Sequence, residues 1–344
     1  MAHAIPTTMR ANTLVRAGQL EMVQHPVPTP APDEVLVKVT AVGVCGSDVH
    51  FFHEGKLGDW VVNEPLVLGH ESGGTIVAVG SQVPESRIGE RVSIEPQHPS
   101  TTSRETLRGD YHLDPDMQFY AVPGTDGAFQ EYVTIQSHFA HSIPDNVSDW
   151  GAGLLEPLSV AIATARKAHI GVGDRVLITG SGPIGLASAQ VARAAGATEI
   201  VMTDISEVRR NNALRFGATA ALDPVSDAEH IAGLRADAFI DASGAGAAVR
   251  SGLEALRPGG RAILVGMGLP ELSLPITTIQ NNELVVTGVF RYANTWPAAI
   301  ALAATGRVDL DSMVTGTFAL DQAQQALEST ADENTIKSIV EPQR

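Results

Sequence analysis

From about residue 158 to residue 292 the chain alternates strand-like and helix-like segments, and no other feature restricts its fold as tightly. DRVLITG (174–180) reads as a buried strand, and PIGLASAQVARAAG (183–196) as an Ala-rich helix closed by Gly196. EIVMTD (199–204), SEVRRNNALRFG (206–217) and AALD (220–223) continue as strand, helix and strand. DAFIDAS (237–243), GAAVRSGLEALRPGG (246–260) and RAILVGM (261–267) repeat the unit. Strands separated by helices of this length pair in parallel, because each crossover lays its helix on a face of the sheet. An α/β region with a doubly wound parallel sheet is therefore expected.

The turn between the first of these strands and its helix is Gly180-Ser181-Gly182-Pro183-Ile184-Gly185. In a G-x-G-x-x-G turn the first glycine allows the tight bend, the second lets backbone approach a pyrophosphate, and the third lets helix pack on strand. Free N–H groups at the helix start favour an anion. Alone, three glycines also describe an ordinary turn. The context favours a Rossmann-type dinucleotide site: a strand precedes, a helix follows, and Asp204 ends the next strand 19 residues after Gly185. A carboxylate there accepts hydrogen bonds from a ribose diol and repels a 2′-phosphate, so NAD is expected over NADP. Arg209 lies near enough in sequence to touch the adenosine end, or to be a plain surface residue.

Before this region the texture differs. Residues 1 to about 155 hold short β-type runs such as VLVKVTAVGV (35–44), GGTIVAVGS (73–81) and RVSIEP (91–96), separated by Gly and Pro, which predict an irregular β-barrel. Residues 97–127 are polar and irregular, a length of loop that usually has a function or an interface. WPAAIALAATG (296–306) and LDQAQQALEST (320–330) read as helical pieces.

Composition excludes several classes. Lys and Arg number 23 against 39 Asp and Glu, a formal charge of −16 that argues against nucleic acid and anionic membrane as partners. No apolar run reaches the roughly 18–20 residues of a membrane span, and MAHAIPTTMRANTL lacks the charged-then-apolar order of a leader, so the cytoplasm is the expected location. The single cysteine, Cys45, rules out a disulfide framework and a four-thiolate zinc site.

Cys45 stands in GVCGSDVH (43–50), followed by Gly69-His70-Glu71 and by Leu155-Glu156-Pro157. Thiolate, imidazole and carboxylate are zinc's preferred protein ligands. Spacing alone leaves Cys45 equally readable as a buried core thiol, and His70 and Glu71 as a satisfied pair at a strand end. Together with LLEPLSVAI, GSGPIG and GVFRYANTWP, these motifs resemble the zinc-containing medium-chain dehydrogenases, in the sorbitol (L-iditol 2-) and xylitol dehydrogenase branch. The likeness runs over nearly the whole chain in the same order and loosens after residue 300.

That resemblance implies a GroES-like catalytic domain over residues 1–157 and 293–344 and a Rossmann NAD-binding domain over 158–292, with zinc and nicotinamide in a cleft between them. It implies Cys45 and His70 as zinc ligands, with Glu71 or Glu156 as the third and Glu71 placed first. The other carboxylate holds the metal's water or the substrate. It carries Ser47 and His50 over as a proton relay, and Phe51, Glu156, Arg291 and Tyr292 as the substrate site. Phe51 stands where some relatives have Tyr. Gly180, Gly182, Pro183, Ile184, Gly185, Asp204, Arg209, Val265, Gly266, Met267, Val289, Phe290 and Arg291 are implied at the cofactor. Many relatives carry a second, structural zinc in a cysteine-rich lobe; segment 97–127 has no cysteine, so one catalytic zinc per chain is expected. The implied reaction oxidises a secondary hydroxyl of a polyol to a ketose with NAD, in a homo-oligomer, tetramer or dimer. Rival readings are another secondary alcohol or vicinal diol as substrate, a zinc-free reductase on the same fold, or a non-catalytic NAD-binding protein.

Overall fold

A computed structural model describes residues 5–268 and 271–344. Met1–Ala4, part of the segment read as lacking a leader, lie outside them. The chain divides into two compact units, Met1–Glu156 with Leu310–Arg344, and Pro157–Asp309. The division falls inside one helix, at Pro157.

In the first unit β1 (Thr8–Arg16), β2 (Gln19–Pro26) and β3 (Glu34–Gly43) lead to a helix, α1 (Gly46–Glu54). β4 (Leu66–Val67), β5 (Glu71–Val79), β6 (Arg91–Ile94), β7 (Tyr132–Gln136) and β8 (Ala140–Ser142) follow. β1 pairs with β2 and β4, while β3 pairs antiparallel with both β5 and β7. The irregular barrel predicted from the short runs is present. Val35, Val37 and Val39, at alternate positions of β3, fill its core with Val42, where they meet Leu68, Ile76, Ile94, Phe129 and Ile135.

Segment 97–127 is more ordered than its composition suggested. Gln97 and His98 pair with Phe119 and Gln118, and one short helical turn spans Arg104–Leu107. It is clasped to the barrel through Glu95, 1% exposed, which accepts hydrogen bonds from Tyr111 Oη (2.6 Å) and Gln97 Nε2 (3.1 Å) and pairs with His141 Nε2 (2.9 Å).

α2 (Asp149–Ala168) carries the chain into the second unit. There β9 (Arg175–Thr179), α3 (Pro183–Ala195), β10 (Glu199–Thr203), α4 (Glu207–Arg215) and β11 (Ala220–Leu222) match the predicted succession. β12 (Ala236–Asp241), α5 (Gly246–Glu254), β13 (Leu256–Leu264), β14 (Val285–Gly288) and α6 (Trp296–Ala304) complete it. All neighbours are parallel, in the order β11-β10-β9-β12-β13-β14. This is the 3-2-1-4-5-6 order of the Rossmann sheet. The helix read over 246–260 stops at Glu254. Leu256 already pairs with Ala236, and Arg257 is tied to Asp237. Residues 293–309, expected with the barrel, fall in this unit. Gln190 clasps the Asp309 backbone, donating to its carbonyl and accepting from its N–H (2.6 Å), and Arg166 holds the Asn294 carbonyl.

The chain then returns to the barrel through β15 (Val314–Ala319), α7 (Ala323–Glu328) and β16 (Lys337–Glu341). β16 lies between β3 and β15, antiparallel to the first and parallel to the second. Neither strand was anticipated from the sequence. Among the described residues no helix is long and apolar enough to cross a membrane.

Candidate metal centre and cofactor turn

In the barrel unit the chain passes from β3 into α1 through Cys45, which is the helix N-cap. Asp48, at the third helical position, accepts the Cys45 N–H on Oδ2 (3.0 Å) and the Gly69 N–H on Oδ1 (2.9 Å). One fully buried carboxylate thus ties the loop bearing the thiol to the turn bearing His70. Its Oδ1 also lies 3.7 Å from His70 Nδ1. Gly69, at φ +87°, makes that turn; any Cβ there would strike the Phe129 ring at 2.6 Å. His70 in turn faces the ring of Phe119, centroids 5.5 Å apart, so segment 97–127 forms one wall beside it.

Glu71 opens β5 directly opposite Gly43 on β3. A Cβ at residue 43 would lie 2.1 Å from Glu71 Oε2, so glycine there makes the space this oxygen occupies. Oε2 is buried and has no hydrogen-bond partner among the described residues. The other oxygen, Oε1, takes a 2.6 Å hydrogen bond from Lys337 Nζ, which also donates to the Val44 carbonyl (2.7 Å).

Ligand atoms of Cys45, His70 and Glu71 all lie within 4.8 Å of one another. A half-buried thiol converging with a buried imidazole nitrogen and an orphaned carboxylate oxygen fits a borderline-soft divalent cation such as zinc. The electrostatics agree. Burial pulls the His70 imidazole down, but the charges of Asp48 and then Cys45 outweigh it and hold it well above the usual histidine range. Burial likewise pulls the Lys337 ammonium down, and Glu71, then Cys45, outweigh it and raise it.

The remaining predicted residues of this unit are placed as follows. Glu156 is buried and stands outside the close set of three, although its charge reaches Lys337. Ser47 is half-buried. His50 pairs with Glu54 one turn along α1 (2.8 Å), and no hydrogen bond joins it to Ser47 among the described residues. Phe51 is 1% exposed and packs in the barrel core.

In the second unit every predicted cofactor residue except Arg209 lies at or just beyond the C-terminal end of a parallel strand, where open α/β sheets bind ligands. Arg209 is half-buried on α4, which follows β10. The glycine turn has the conformation its pattern predicts. Gly180 sits at φ +89°, Gly182 is the N-cap of α3 with open space beside it, and a Cβ on Gly185 would lie 1.9 Å from the Gly180 carbonyl. Pro183 begins α3, and Ile184 follows. Asp204 accepts the Ser181 N–H (2.8 Å) on one oxygen and the Ser206 N–H (2.9 Å) on the other, so it is fixed to the turn it was expected to serve. Val265, Gly266 and Met267 follow β13; Val289, Phe290 and Arg291 follow β14. Arg291 has φ +57° and lays its guanidinium 4.6 Å from the Phe290 ring centroid. Tyr292 is fully buried, edge-on to Trp296.

Three features went unread in the sequence. Asp48 was legible as the third residue of a helix capped by Cys45, a position that favours a carboxylate. Asp241, at the end of β12, accepts from Thr179 Oγ1 and from the Ser243 and Gly244 N–H groups, and its signal was only a strand-end carboxylate. Beside it Gly244, Gly266 and Gly268 pack backbone to backbone: a Cβ on Gly266 would lie 2.2 Å from Gly244 N. Lys337 had no signal.

Comparison with known proteins gives one family. Residues 31–145 match the alcohol dehydrogenase GroES-like domain, and residues 183–305 match the zinc-binding dehydrogenase domain. The chain is 39% identical over 331 residues to sorbitol dehydrogenase of Bos taurus, covering 94% of this chain and 93% of that one. It is 37% identical to sorbitol dehydrogenase of Bacillus subtilis over 353 aligned positions, all of both chains. Among solved structures, an Escherichia coli oxidoreductase/dehydrogenase of unknown specificity superposes with a TM-score of 0.92 at 33% identity, covering 97% of this chain and 99% of that one.

Proposed function

The chain belongs to the zinc-containing medium-chain dehydrogenases, in their sorbitol dehydrogenase branch, and from that premise we propose that it oxidises a secondary hydroxyl of a polyol to the ketone with NAD. The observation that carries the proposal is the meeting of the half-buried Cys45 with the buried His70 and Oε2 of Glu71, which has no hydrogen-bond partner among the described residues. Cys45, His70 and Glu71 would hold one zinc ion per chain, with Glu156 beside it toward the water or substrate. Zinc there supplies Lewis-acid polarisation of a bound hydroxyl, and NAD supplies the hydride acceptor.

The chain's own residues do the rest. Asp48 fixes the relative placement of thiol and imidazole through Cys45 N–H and Gly69 N–H. The substrate proton would leave through the water held by Glu156, or through Ser47 toward the cofactor ribose and His50; a positioned relay of this kind is general-base catalysis. Backbone N–H groups at the start of α3 take the dinucleotide phosphates. Asp204, held by Ser181 and Ser206, receives the adenosine ribose and disfavours a 2′-phosphate. Val265–Met267 and Val289–Arg291 line the nicotinamide end. Arg291 meets the substrate hydroxyls, and the fork of the guanidinium is suited to two oxygens at once; Tyr292, with no exposed surface, packs on Trp296 behind it. The enzyme acts as a homo-oligomer, tetramer or dimer, in the cytoplasm.

The test is a polyol panel read at the NADH absorbance, beside metal analysis. We expect about one zinc per chain and turnover of sorbitol- or xylitol-type polyols. Chelation, Cys45→Ala or His70→Ala should remove both zinc and turnover while NAD binding persists. Turnover that survives chelation, or that persists in either variant, defeats the metal mechanism. Exclusive turnover of a small vicinal diol would move the substrate, not the chemistry.

A further inference from the structure

Lys337 is an ammonium buried to 3% exposure in a protein where most lysines are free to reach water. β16 delivers it from the far end of the sequence, with Val44 N–H donating to the neighbouring Ser338 carbonyl to fix the register. Two contacts hold it, the Val44 carbonyl and Oε1 of Glu71. A buried ion pair of this kind is expensive to build and is weak evidence for stability in itself. Its placement says more. It engages one oxygen of the one carboxylate in the close set of three, and leaves the other oxygen, Oε2, without a partner. Gly43 keeps that second oxygen's space clear from the opposite strand.

We propose that Lys337 is a positioning residue of the metal centre: it grips Glu71 by Oε1 so that the carboxylate offers only Oε2 to the ion. The inference rests on the reading of Cys45, His70 and Glu71 as metal ligands. Its chemical consequence concerns coordination number. A catalytic zinc keeps three protein donors and one open position. A carboxylate free to bind through both oxygens takes up that position or crowds it. Lys337 therefore keeps one position open for the substrate hydroxyl.

The test uses the cobalt-substituted holoenzyme and its visible spectrum, which reports coordination number without turnover. The wild type should take up one Co(II) with a sulfur-to-cobalt charge-transfer band and the intense d–d bands of a four-coordinate site. In Lys337→Met, which keeps the length of the side chain without its charge, the d–d bands should weaken at least about twofold, and chelator-driven metal release should slow. Lys337→Arg covers the case in which the methionine variant does not fold. A guanidinium fork engages both oxygens of a carboxylate, so Oε2 should be withdrawn and metal affinity should fall about tenfold or more, with the circular dichroism of the metal-free protein unchanged. A methionine variant with the wild-type spectrum and release rate overturns the proposal, as does an arginine variant with wild-type affinity. A wild type that takes up no cobalt, or shows no sulfur band, overturns the metal reading itself.

Discussion

Asp48 commits both carboxylate oxygens to backbone N–H groups from two separate loops, and does so with no exposure to water. Its replacement by alanine strands two buried donors, each costing about 1–3 kcal/mol. We predict a loss of about 3 kcal/mol in urea unfolding and a 10–100-fold drop in zinc affinity by chelator competition, the usual size of an outer-shell effect. An alanine variant with wild-type zinc affinity would reduce Asp48 to a helix cap. Asp204 gives the second residue-scale prediction. Asp204→Ser should shift the NAD/NADP ratio of kcat/KM toward NADP by about tenfold, worth 1.4 kcal/mol, and an unchanged ratio would remove Asp204 as the selector. Residues of this kind were legible because their motifs are local: Cys45, His70, Glu71 and Asp204 each sit in a short run whose chemistry is recognisable without its neighbours. Which carboxylate joins the thiol and imidazole was not legible. That depends on Gly43 lying across the sheet from Glu71, a fact of register.

At the scale of elements, the strands and helices of the second unit were readable within a few residues because hydrophobic period, turn glycines and length all agree there. Where they disagreed, pairing won: the pattern favoured helix to residue 260, but Leu256 had a strand partner in Ala236. β15 and β16 were unreadable for a similar reason. VTGTFA and KSIVE are short, and their partners are each other and β3, almost the whole chain away. Segment 97–127 looked like a bare loop because its order comes from one short strand pair and from a carboxylate outside it, neither of which its composition signals. We predict that Glu95→Ala frees this segment: Tyr111 and His141 lose a charged acceptor, at about 1.5–3 kcal/mol per hydrogen bond. Amide exchange should rise across residues 97–120 while β9–β14 stay protected. Unchanged protection there would show that the segment is held by its apolar contacts alone.

At the scale of the whole molecule, the barrel unit is written in two pieces with the entire parallel-sheet unit between them. A chain stopped after Asp309 lacks β15, α7 and β16, so β3 loses its partner at Val42 and Gly43, and exposed edges pair with whatever strand they meet. We predict that such a truncation leaves residues 1–156 protease-sensitive or aggregated, while a fragment spanning the second unit survives limited proteolysis. Recovery of a resistant 1–156 fragment would show that the first piece is self-sufficient. The interruption also sets an order in time. At about 5–20 residues per second of synthesis, Cys45, His70 and Glu71 emerge well before Lys337, and roughly ten seconds to most of a minute separate them. Until β16 arrives, the carboxylate has no clamp and β15 no strand to pair with. The centre is therefore a late event in the life of each molecule, finished only as one of its last strands slides into place, and an ion that binds before then meets Glu71 with neither oxygen held.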